Sequence, residues 1–155
     1  MITLRLMTLK QKIFEQCIET VNSKISVLQQ SLADLKESGT NETKSTAGDK
    51  HETALAMLQI EQANTRAQLQ EALAQFAILK NINPAIVATK ITLGSVIVTG
   101  KGYFYISIAL GKIVVDDITI YTLSQQSPLG AKLMGLNVGD SASVNGYDYL
   151  VEAIL

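Results

Sequence analysis

The chain has 155 residues, 13 Lys+Arg against 14 Asp+Glu, and a formal net charge of −1, which is the size of one domain or two small ones. Apolar residues make up 47% and charged residues 17%, so the chain can build a core and lacks the basic excess that non-specific nucleic-acid binding requires. A single cysteine, Cys17, and a single histidine, His51, exclude an internal disulfide, a cysteine zinc site and a multi-histidine metal site.

The opening stretch MITLRLMTLK is interrupted by Arg5 and Lys10 and has no signal-peptide core. No run approaches the roughly 20 apolar residues of a membrane span. The expectation is a soluble, cytoplasmic protein with no membrane partner.

Two helices come first. Phe14, Ile18, Val21, Ile25, Leu28, Leu32 and Leu35 alternate spacings of four and three, a heptad seam. Leu55, Leu58, Gln62, Thr65, Leu69, Ala72, Phe76 and Leu79 form a second one, with Gln62 and Thr65 as its polar middle. Neither helix carries a second apolar face, so each is expected to bury its seam against the other. The expected unit is an antiparallel coiled-coil hairpin over 8–82, and the two seams satisfying each other make the chain monomeric.

Between the helices, Ser38 to Gly48 contains no large apolar side chain and reads as a loop. It is longer than the roughly 2–8 residues a helix–helix connection needs. With the start of the second helix it forms a tip at about 38–52. Asp49 and Glu52 lie three apart where that helix opens. One reading is a capping box, in which Asp49 accepts from an orphan backbone N–H and Glu52 reaches back. The other is a pair of carboxylates facing one ion, since side chains at i and i+3 are roughly 5–6 Å apart at Cβ. Two exposed carboxylates alone hold Mg²⁺ poorly, because the ion needs further oxygens. They could complete a site in a partner that supplies the rest. His51 between them reads as a solvated residue.

Composition changes at Asn83-Pro84. Eight of the ten glycines and all five tyrosines follow it, while nine of the eleven glutamines precede it. Proline disfavours helical geometry in the residue before it, so 83–90 reads as a linker. Beyond it, Ser95–Thr99 and Tyr103–Ala109 flank Gly100-Lys101-Gly102 as a hairpin, and Lys112–Asp116 and Ile118–Leu123 are further strands. Ser127, Pro128 and Gly135 read as the N-cap, first residue and stop of a short helix. Ser141–Val144 and Tyr147–Ile154 flank Asn145-Gly146, a two-residue hairpin turn. The expectation for 91–155 is a small antiparallel sheet carrying one short helix, and the fold class is α+β.

Smaller features have plain readings. Cys17 borders the first seam and reads as a buried filler. Tyr103, Phe104 and Tyr105 could stack bases, but alternation on a sheet explains them. Ser127 has no histidine near it and is not expected to be a nucleophile.

At this point the residues resemble a family. Ser127-Pro128-Leu129-Gly130, Leu133-Met134-Gly135 and Gly139-Asp140 are similar, without a gap, to the Ser-Pro-apolar-small, Leu-apolar-Gly and Gly-Asp stretches of the bacterial Gre transcription elongation factors. Gly48-Asp49-Lys50-His51-Glu52 resembles their tip signature Gly-Asp-x-x-Glu. The resemblance covers about residues 10–155. It implies a coiled-coil hairpin followed by an FKBP-like domain over 91–155, and RNA polymerase as partner. The hairpin would enter the secondary channel, meeting nascent RNA only indirectly. Asp49 and Glu52 would help the polymerase hold a Mg²⁺ that cleaves backtracked RNA. The protein would then be no enzyme by itself and would bind no cofactor alone. After Glu52 the chain reads Thr53-Ala54-Leu55, where the cleavage factors carry Asn-Ala-Glu-Tyr. A non-cleaving regulator of the same channel is therefore the alternative, and a coiled-coil adaptor for another partner is a third reading.

Overall fold

The structure, a computed structural model, describes residues 7–43 and 49–155, and the side chains of 40–51 fall outside that description. Two long helices, α1 (Leu9–Thr43) and α2 (Asp49–Lys80), precede six strands: β1 (Val96–Thr99), β2 (Gly102–Ser107), β3 (Gly111–Val115), β4 (Ile118–Ser124), β5 (Ser141–Val144) and β6 (Tyr147–Ile154). A short helix, α3 (Pro128–Leu133), lies between β4 and β5. The class is α+β. By its internal contacts the chain divides into two compact units, Glu19–Phe76 on the one hand and Met1–Ile18 with Ala77–Leu155 on the other.

The helical unit follows from its seams. Val21 and Ala72 are buried, while Ile25, Leu28, Leu32 and Leu35, and opposite them Leu55, Leu58, Thr65 and Leu69, are half-buried in a run of otherwise exposed positions. Gln62, the polar residue in the second seam, donates from Nε2 to the Leu35 carbonyl at 3.3 Å. A buried amide needs such a partner, so the weak point of the seam is also a cross-link. α1 runs on to Thr43, where the sequence suggests a loop from Ser38. A helix once formed adds residues cheaply, and Gly39 costs only about 1 kcal/mol relative to Ala inside one. The remaining residues of the expected loop, 44–48, lie outside the described residues.

α1 starts with a capping box that the sequence reading passed over. Gln11 N–H donates to Thr8 Oγ1 at 3.1 Å, and Thr8 N–H donates to Gln11 Oε1 at 3.0 Å. The reciprocal pair satisfies two donors that the helix start leaves open.

In the other unit the strand order is β3-β4-β2-β1-β6-β5. Neighbours are antiparallel except β2 and β4, which run parallel with Tyr103 opposite Ile120 and Ser107 opposite Ser124. The sheet is antiparallel-dominated, as expected, with one parallel pair that no local pattern announces. The chain leaves β2, steps over to the outer position as β3, and returns through a tight turn as β4 into the gap. Thr122 fixes the step: its Oγ1 accepts from Leu110 N–H and donates to the Gly111 carbonyl, both at 2.8 Å.

One sheet face packs with α3 into a core of Ile91, Ile97, Phe104, Ile106, Leu133, Ala142 and Val151. The short helix is set by local stereochemistry. Ser127 Oγ accepts from Gly130 N–H at 3.0 Å and donates to the Ser124 carbonyl at 2.8 Å. Pro128 is the first helical residue, and Gly135 ends the turn at φ +83°. The Gly135 and Ile91 main chains then tie the helix to the sheet entrance.

The opposite face is buried too. Tyr105 and its parallel neighbour Thr122 are both buried there, with Cys17 of α1 close to Tyr105; Ile13 of α1 is buried in the same unit. Lys10 is buried as well, its ammonium donating to the carbonyls of Ile86 and Leu155. Loss of water pulls its pKa down.

Burial pushes the Cys17 thiol up to about 12 and raises the Tyr105 phenol. Both groups fold in the neutral form, so their raised pKa values give stability that is whole below the unfolded thiol's 9.0 and drains as pH climbs towards 12. A group ionising only in the unfolded chain gives a slope of about 1.4 kcal/mol per pH unit. Urea midpoints between pH 8 and 11 should therefore fall, and Cys17→Ala should flatten part of the slope. A midpoint independent of pH above 9 in the wild type would contradict this burial.

Candidate functional site

α2 opens at Asp49, and Glu52, one helical turn on, is exposed. The spacing puts the two residues on one side of the helix. The helix start favours negative charge there, because its first N–H groups lack partners. The Asp49 and His51 side chains lie outside the described residues, and so does the capping-box geometry of Asp49. As donors, two carboxylates one turn apart fit a hard cation such as Mg²⁺, which takes carboxylate oxygens. They leave most of its octahedral shell to other groups. Among the described residues no set of three or more His, Cys, Asp or Glu could hold a metal ion.

The C-terminal motif has a structural account. Ser127 is spent on capping, Pro128 on the first turn and Gly135 on the stop. Gly139 sits at φ +96°. Asp140 Oδ2 accepts from Asn137 N–H at 2.9 Å, and the Asp140 carbonyl accepts from Val151 N–H at 2.8 Å. These residues shape the join between α3 and β5.

Of the three consecutive aromatics, Tyr105 and Phe104 are buried and only Tyr103 is half-exposed, so this run is not a base-stacking surface. The structure instead gathers Phe104 with two tyrosines from other strands. Its ring centroid is 5.5 Å from Tyr121 and 5.7 Å, edge-on, from Tyr149. Lys101 Nζ sits 5.5 Å from the Tyr149 ring centre. This cluster escaped the sequence reading because it depends on the β2–β4 pairing. The only signal for it in the chain is that Tyr121 and Tyr149 stand at alternating strand positions.

A cleft of about 460 Å³ lies between the start of α1 and the linker, lined by Leu9, Lys10, Pro84, Val87 and Ile154 among others. Its walls are mostly apolar, and Lys10 is the one charged side chain among the described residues that line it. No described helix is long and apolar enough to cross a membrane.

No protein-family model matches the chain, and no curated protein does. Among solved structures, one titled "Structure of the transcription factor Gfh1" aligns over 91% of this chain and 92% of its own, at 20% identity and a TM-score of 0.33. A superposition that loose carries no weight for function.

Proposed function

We propose that this protein binds bacterial RNA polymerase as a Gre-like elongation factor. Its hairpin enters the secondary channel, and Asp49 and Glu52 lend carboxylate oxygens to a Mg²⁺ held mainly by the polymerase. The observation that supports this reading is a helical hairpin whose second helix begins at Asp49 with Glu52 exposed one turn later. The Gre-like motifs around Ser127 and Gly48 give the reading its partner.

Within it, the division of labour follows from the chain's own residues. The helical unit delivers two negative charges to a defined point, and the sheet unit provides a docking body. A Mg²⁺ held there would supply charge stabilisation for phosphoryl cleavage. Asp49 and Glu52 would hold it from one side, and the polymerase would carry the reaction.

The test uses polymerase complexes stalled on RNA. Addition of the full chain should shorten the RNA in a Mg²⁺-dependent way, and the chain should co-purify with polymerase. Binding without shortening at any Mg²⁺ concentration assigns it instead as a non-cleaving regulator. Absence of binding removes the polymerase reading and leaves a coiled-coil adaptor.

A further inference from the structure

The two edges of the sheet are not alike. β5 is the edge beside α3, and its outward strand residues include Ser141 and Ser143, whose Ser143 hydroxyl is engaged by Asp148. β3, the other edge, reads Gly-Lys-Ile-Val-Val and pairs on one side only among the described residues. It carries no proline and no bulge, and Lys112 is its one charged residue. Val114, next to its last residue, is 55% exposed.

Hairpin geometry fixes which main-chain groups of β3 are unspent. The β3–β4 turn has two residues, Asp116 at φ 52° and Asp117 at φ 63°, the type I′ form. Val115 and Ile118 close it as opposite residues, and in such a turn they exchange both hydrogen bonds. Alternation then aims Val115 and Ile113 inward at β4, and Lys112 and Val114 outward. The N–H of Asp116 also faces outward, because it lies opposite the Val115 carbonyl in a planar peptide.

We propose that β3 is a self-pairing edge, which joins antiparallel to β3 of a second copy about a two-fold axis through Val114. The charge pattern selects this occupant and this register. Centring on Val114 sets Lys112 opposite Asp116 of the second copy, Ile113 opposite Val115, and Val114 opposite itself. Lys112 is exposed and has no ion-pair partner among the described residues. Asp116 is exposed and uses Oδ2 for Lys12 at 2.9 Å, so its carboxylate can accept a second ammonium. A shift of one residue sets outward-facing main-chain groups against inward-facing ones, and a shift of two loses the charge match. Opposite charges directly across an antiparallel pair are favourable, and like charges are not. The arrangement is isologous, so it closes at a dimer. The helical seams are not involved.

Cross-linking tests the register directly. In a hydrogen-bonded antiparallel pair the Cα atoms are about 5.5 Å apart, inside the roughly 4.4–6.8 Å range of a disulfide. The full chain carrying Val114→Cys should therefore convert mostly to a disulfide-linked dimer under mild oxidation. Ser143→Cys, on the other edge, should not, and native Cys17 is buried and stays out of the reaction. Sedimentation of the unmodified chain should show mass rising from monomer towards dimer with concentration. Val114→Pro removes an outward N–H only, which an edge strand tolerates, so it should keep the melting temperature within a few degrees and hold the mass at monomer. Lys112→Glu should weaken the dimer at least tenfold, and Lys112→Glu with Asp116→Lys should restore it. A wild type that stays monomeric at millimolar concentration, or equal cross-linking at Val114→Cys and Ser143→Cys, overturns the proposal.

Discussion

A chain with Asp49→Asn and Glu52→Gln is expected to bind polymerase as the wild type does and to leave RNA in stalled complexes uncut. The amides are nearly isosteric with the acids and keep an acceptor oxygen. If the pair only caps the helix, the swap weakens the start of α2 by at most about 1 kcal/mol, and RNA shortening survives. If the pair ligates Mg²⁺, both anionic oxygens that a hard cation requires are gone, and shortening should fall by two orders of magnitude or more. Competition against wild type for polymerase separates a chemical loss from a binding loss, since the sheet unit is unaltered. Shortening at wild-type rate by the double variant removes the metal role of this pair.

A large loss of stability is expected at Gly94. Its φ of +90° is one that L side chains rarely adopt, and a Cβ there would lie 2.7 Å from Ile82 Cγ2. The residue is buried, and its N–H donates to the Ile106 carbonyl at 2.7 Å, so the backbone has little room to move away. Strain at φ and overpacking add, giving a loss of about 3 kcal/mol for Gly94→Ala. Gly135→Ala is the control. Its φ is +83° but nothing lies within 4 Å of the added atom, so it should lose only the conformational part, about 1 kcal/mol. Ile82→Ala combined with Gly94→Ala should destabilise by less than the sum of the two, because the removed methyl is the one in conflict. Urea midpoints measure all four chains. Equal losses at Gly94 and Gly135 would show that contact with Ile82 contributes nothing.

The local stereochemistry of this protein was legible in its sequence. Although at the start of α1 Ile13 and Cys17 are buried more deeply than Phe14 and Ile18, the first heptad seam from Val21 on, the second seam, the Ser127-Pro128 helix start and the stop at Gly135 stand where spacing and capping put them. So does the Asn145-Gly146 turn, with φ of 52° and 81°. Each signal is complete within a few residues, because helix faces repeat every three or four positions and a tight turn is decided by its own dihedrals. The acidic pair is visible for the same reason, since charge and spacing at a helix start need no distant contact. Tertiary structure decided what no local pattern encodes. The parallel pairing of β2 with β4 leaves β3 at the edge and collects Phe104, Tyr121 and Tyr149. The Asp116-Asp117 turn holds two side chains in a region they seldom occupy, which composition does not announce. Lys10, a charge on a helix face by its spacing, is buried because carbonyls from residues 86 and 155 converge on its ammonium. A buried cation survives only where such acceptors are already in place, and their arrival from 76 and 145 residues along the chain is a property of the folded molecule.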